Sequence, residues 1–77
     1  MLDEQNQTIE KIGERIKQLR LKKGYTSAEN FALDHDIDRS QYGKIERGTN
    51  MRTTTLVIML RHFDITIDEF FSEGFDF

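Results

Sequence analysis

The side chains best placed to do chemistry together lie in one short segment, Asp38-Arg39-Ser40-Gln41-Tyr42-Gly43-Lys44-Ile45-Glu46-Arg47-Gly48. Helical spacing gives it two faces. Ile37, Tyr42 and Ile45 form an apolar one, and Arg39, Ser40, Gln41 and Lys44 a polar and basic one. Arg and Lys donate hydrogen bonds to guanine O6 and N7, Gln can pair with adenine, and Ser is short and adaptable. A short helix of this kind, held at a fixed angle by the helix before it, has the make-up of a DNA reader. Other chemistries lack their residues. There is no cysteine, and no recognised metal spacing joins His35 to His62. There is no glycine-rich phosphate loop and no Ser/His/Asp arrangement, so no enzyme, metal or cofactor is expected.

Charge agrees by its distribution, not its sum. The net charge is −3, but all 11 Lys and Arg lie between Lys11 and Arg61, where six acids leave a local balance of +5. The remaining acids sit at the two ends. Screening acts over ~10 Å, so the local balance governs phosphate binding. No apolar run approaches the ~20 residues of a membrane span, and the polar, acidic start is not a signal peptide; a cytoplasmic protein is expected.

The elements that must position this segment read as an all-α, five-helix bundle within one domain of 77 residues. The first helix is expected from about Thr8 or Ile9 to Lys23, with Ile9, Ile12, Ile16 and Leu19 as its stripe and Gly24 as its stop. The second covers about Ser27 to His35, started by a Thr26/Glu29 capping box, with Phe31 and Ala32 inward. Asp36 then takes the turn with positive φ. The third runs from Arg39 to about Arg47, capped by Asp38 with Gln41 closing a box and stapled by Ile37 and Tyr42. The fourth starts near Thr53 or Thr54 and turns Leu56, Met59, Leu60 and Phe63 inward. The fifth is short, boxed by Thr66 and Glu69 and stapled by Ile65 and Phe70. Residues 1–8 read as a flexible acidic segment, 9–71 as the helical domain and 72–77 as an aromatic tail. Phe71, Phe75 and Phe77 exceed what so small a core can hide beside Phe70, which points to a dimer contact.

In order and spacing, I-G-E-R-I-K-Q-L-R-x-x-K-G, the F-A of the second helix, I-D-R-S-Q-Y-G-K-I-E-R-G and L-V-I-M-L-R-H-F-D-I-T-I-D-E-F-F resemble the helix-turn-helix family of the lambda repressor and Cro, the XRE family. The resemblance covers about Ile12 to Phe71. It implies double-stranded DNA as partner and a homodimer on an inverted repeat, with no small-molecule ligand. It implies base contacts from Arg39, Ser40, Gln41 and Lys44, and phosphate contacts from Arg47, Thr49, Asn50 and Arg52. It also implies an ion pair, Arg20 with Glu46, bridging the first and third helices. The chain departs from the pattern in three places. One extra residue precedes Phe31, so Ala28 stands where the family often has a phosphate-binding Gln, and Ser27, with Thr26 or Asn30, is left to take that contact. His35 and Thr53 stand where apolar residues are usual. A different reading keeps the fold as a protein-interaction module, antitoxin-like or adaptor, with the acidic ends as its binding surface.

Overall fold

α1 spans Leu2–Lys22, α2 Ala28–Asp34, α3 Arg39–Glu46, α4 Thr53–His62 and α5 Ile67–Phe71. This is a computed structural model that describes the backbone of residues 2–75 and side chains from residue 7. Among the described residues there is no strand, as the sequence predicts.

The first helix begins earlier than its apolar stripe suggests, at Leu2 instead of Thr8 or Ile9. Residues 2–8 contain no Gly or Pro, and Leu2, Glu4, Gln5 and Gln7 are good helix formers, so nothing in the sequence stops the helix there. The segment 1–8, expected to be flexible, is therefore helical from Leu2.

The first four helices end alike. After α1 the N–H groups of Gly24 and Tyr25 bond to Leu21 and Arg20 carbonyls at 3.0 and 3.2 Å, the paired bonds of a Schellman stop. Asp36, Gly48 and Asp64 close α2, α3 and α4 with the same pair of bonds. Their φ angles are 57°, 88° and 54°. Positive φ at Asp36 follows expectation. Asp64 does the same work without having been anticipated.

The start of α2 differs from expectation. Ser27, not Thr26, is the N-cap, its hydroxyl accepting the Asn30 N–H at 3.3 Å. Ser27 holds extended backbone angles and the helix begins one residue later, so Thr26 lies outside it and Glu29 does not close a box. At α3, Asp38 accepts the Gln41 N–H at 2.9 Å, but no returning bond from the Gln41 side chain is present among the described residues. The Thr66/Glu69 box of α5 is complete.

Ile16, Leu19, Phe31, Ala32, Tyr42, Ile45, Met59, Leu60, Phe63 and Phe70 form the core. Phe31 is its centre, stacked on Phe63 with ring centroids 4.9 Å apart and tilted against Tyr42 at 5.1 Å. Gly13 sets the crossing of α1 and α3. A Cβ there would lie 2.6 Å from the Glu46 carbonyl oxygen and 2.7 Å from that of Ile45.

The C-terminal aromatics fit better than composition suggests. Phe71 and Phe75 pack against the core, 4.9 and 5.8 Å from the Phe70 ring and 4.8 Å from each other. Arg15 fastens this end to α1. Its guanidinium donates to the Phe70 and Glu69 carbonyls at 3.1 and 3.2 Å and pairs with Glu73 at 3.5 Å. Of the three phenylalanines expected to exceed the core, Phe71 and Phe75 are partly buried, layered on Phe70 by a chain turn after α5. Phe77 lies outside the described residues.

Candidate nucleic-acid interface

α3 is short, and its placement comes from outside it. Tyr42 is fully buried and Ile45 nearly so, which anchors the inner face. Arg20 fixes the far end. It is 4% exposed, and its guanidinium meets the Glu46 carboxylate with two parallel bonds, Nε to Oε2 at 2.7 Å and Nη2 to Oε1 at 3.2 Å. Its third arm donates to the Tyr25 carbonyl at 2.8 Å. The bonded Glu46 carboxylate raises the Arg20 pKa, against the opposing effect of burial. The ion pair that the resemblance implies is therefore present. Beside it the buried Tyr42 hydroxyl has no hydrogen-bond partner among the described residues. Burial, and then the neighbouring Glu46, push its pKa well above the ordinary tyrosine value.

With that face fixed, Arg39, Ser40, Gln41 and Lys44 are all exposed. Ser40, Gln41 and Lys44 share one concave surface with Thr49, Asn50 and Arg52 of the following loop. Helix and loop thus present most of the expected base-contacting and phosphate-contacting residues together. Arg39 stands apart, 3.7 Å from Glu29 in the first turn of α2, both side chains about three-quarters exposed. An exposed pair of this length contributes little to stability, but it holds an acid beside the first base-contacting candidate. Ser27 uses its oxygen as acceptor in capping α2, which leaves its O–H proton available to a phosphate. Thr49 differs: its one side-chain proton goes to the Lys44 carbonyl at 2.8 Å, so it serves the end of α3.

Two histidines that look unrelated in sequence meet. His35 Nδ1 and His62 Nδ1 are 3.0 Å apart, one ring donating and the other accepting. His35 also stacks on Phe31 at 4.2 Å, so its polarity is absorbed where an apolar residue was expected. Desolvation first, then His62 and Lys23, lower its pKa against the opposing pull of Asp34. Spacing gave no sign of the contact; the i, i+4 relation of Phe31 and His35 was the available clue. Among the described residues no group of three or more His, Cys, Asp and Glu could hold a metal ion, and no helix is long and apolar enough to cross a membrane.

A helix-turn-helix family model matches residues 16–70. The chain belongs to this family. It is a DNA-binding regulator of the XRE type, all-helical as that fold requires. The chain is also similar to a control protein, C.MunI, of a Mycoplasma species, at 36% identity over 64 residues that cover 82% of this chain and 86% of the relative. No solved structure gives a significant match. In the helix-turn-helix, α2 and α3 are the two helices and Asp36 makes the turn between them.

Proposed function

We propose that the protein is a sequence-specific transcriptional regulator that lays α3 in the major groove and binds an inverted repeat as a homodimer. The observation that carries this reading is the exposed polar face of α3, Arg39, Ser40, Gln41 and Lys44, rigidly backed by Tyr42, Ile45 and the Arg20–Glu46 pair. Arg39 and Lys44 donate to guanine edges, Gln41 pairs with adenine, and Ser40 adapts. Asn50 and Arg52 from the loop and Ser27 from the start of α2 hold phosphates and set register. The similarity to a control protein supports a regulatory role.

Dimerisation belongs to the same proposal. Two recognition helices must meet successive major grooves ~34 Å apart. Ile58 on α4 and Ile67 on α5 are 50% and 51% exposed, apolar surface that supports a contact at this end, joined by whatever of Phe71 and Phe75 their own core leaves uncovered.

Binding-site selection from random duplex DNA, followed by titration at several salt concentrations, tests the reading. An inverted repeat and a log–log salt slope of about −4 to −7 are expected for a dimer making several phosphate contacts per subunit. A flat salt response would instead support the interaction-module reading, with the acidic ends as its surface.

A further inference from the structure

Arg47 is the C-cap of α3, so its backbone lies at the far end of the recognition helix. Its guanidinium does not. It folds back one turn over Gly43, with Nη1 3.0 Å, Cζ 3.7 Å and Nη2 3.8 Å from the point where a Cβ on residue 43 would stand. Residues four apart are neighbours on a helix surface, so a side chain at 43 would press on the guanidinium. Glycine is, after proline, the poorest helix former. Here its lack of a side chain opens a slot for the arginine.

The slot is on the outward face. Arg47 follows Ser40 by seven residues, about two turns, and so projects from the same side, opposite Tyr42 and Ile45. It does not line the concave surface that Ser40, Gln41 and Lys44 share with Asn50 and Arg52. Among the described residues no carboxylate lies within ion-pair distance of it, in contrast to Arg39 with Glu29. An exposed, planar fork of donors therefore lies over Gly43, near the middle of the helix.

We infer that Arg47 is a specificity-determining residue that reads a guanine through the slot at Gly43, not a phosphate clamp. This rests on the reading that α3 enters the major groove. Bidentate donation to O6 and N7 suits the guanidinium, and Lys cannot reproduce it. Gly43 is the positioning residue: it touches no DNA and acts by leaving Arg47 room to lie along the helix.

The test uses the full chain and duplexes recovered by binding-site selection with the unaltered protein, together with their single-base-pair variants. Arg47→Ala should collapse the preference at one base pair per half-site, a loss of about 5- to 150-fold in discrimination. Arg47→Lys should not restore it. Gly43→Ala should give a smaller loss at the same base pair, because the new Cβ moves the flexible guanidinium by a few tenths of an ångström. It keeps the charge, so its salt slope should stay unchanged, and Ala should hold or raise the melting temperature. That combination separates loss of reading from loss of fold. Two outcomes overturn the inference alone: Arg47→Ala weakening selected and unrelated duplexes by the same factor with a shallower salt slope, or Gly43→Ala leaving every base preference intact. An unaltered chain that enriches no sequence and retains no duplex at low salt overturns the DNA reading, and this inference with it.

Discussion

Removing one partner of the Arg20–Glu46 pair should damage the protein far more than a surface ion pair would. Both side chains are nearly buried, at 5% and 9% exposure, and joined by two bonds. Arg20→Ala strips the nearly buried Glu46 carboxylate of both guanidinium bonds. Glu46→Ala leaves a guanidinium whose remaining bond is to the Tyr25 carbonyl. Breaking a buried pair from one side is worth about 3–5 kcal/mol. For a domain of this size each kcal/mol moves the melting temperature by about 4–8 °C, so each single variant should melt at least ~12 °C lower. The double variant removes both charges, and its loss should fall short of the sum by about 1–3 kcal/mol. A hydrophobic replacement, Arg20→Met with Glu46→Leu, should recover most of the stability, because the pair gains little over well-packed apolar groups. Thermal and urea denaturation of the four chains gives the coupling. Additive losses within about 0.5 kcal/mol would refute the claim that the pair acts as a unit.

Gly13→Ala should abolish stable folding or lower the melting temperature drastically, since the Cβ would strike two backbone carbonyls that cannot swing aside; circular dichroism at low temperature reads it. Acid should weaken the α2–α4 contact. His35 titrates below the ordinary histidine range in the fold, so the unfolded chain takes up the proton first. The stabilisation is whole above about pH 6.5 and is lost as pH falls through the ordinary value towards the lowered one, by about 1 kcal/mol or 4–8 °C. His62→Gln, which keeps a hydrogen-bonding group but does not titrate, should reduce that slope in part between pH 7.5 and 5.5, desolvation of His35 sustaining the rest, and an unchanged slope would refute a contribution from His62. Deleting residues 73–77 should lower stability by about 1–2 kcal/mol through loss of Phe75 packing and the Arg15–Glu73 pair, as differential scanning calorimetry would show. No change would mean that the tail carries no core contact.

What the sequence made legible was what local rules govern. The stripe of Ile12, Ile16 and Leu19, the Asp38 and Thr66 caps and the stop at Gly48 are each written within a few residues. So is the polar face of α3, and Arg20–Glu46 was legible through resemblance. The differences between expectation and structure have separate causes. The Thr26/Glu29 box obeys the same spacing rule as the Thr66/Glu69 box, but the extra residue ahead of Phe31 moved the helix start, and spacing alone cannot choose between adjacent caps. His35–His62 and the layering of Phe71 and Phe75 depend on how distant segments meet in space. The early start of α1 lies outside the apolar stripe, and periodicity registers only the stripe.

The two glycines where α1 meets α3 restrict what kind of reader this is. Gly13 lies against the Ile45 and Glu46 carbonyls, and a Cβ on Gly48 would come 3.1 Å from the Glu10 Cα. Main chain comes close to main chain at both glycines, with the Glu10 side chain also beside Gly48. Side-chain interfaces adjust by changing rotamers; a backbone junction has no such freedom. α3 therefore cannot roll or slide along α1 to suit an imperfect half-site. When two half-sites differ, accommodation falls to the long exposed side chains or to the duplex, whose bending and groove width carry their own sequence-dependent energy. A set of sites bound with graded affinities should then be ordered as much by DNA deformability between contacts as by the contacts themselves.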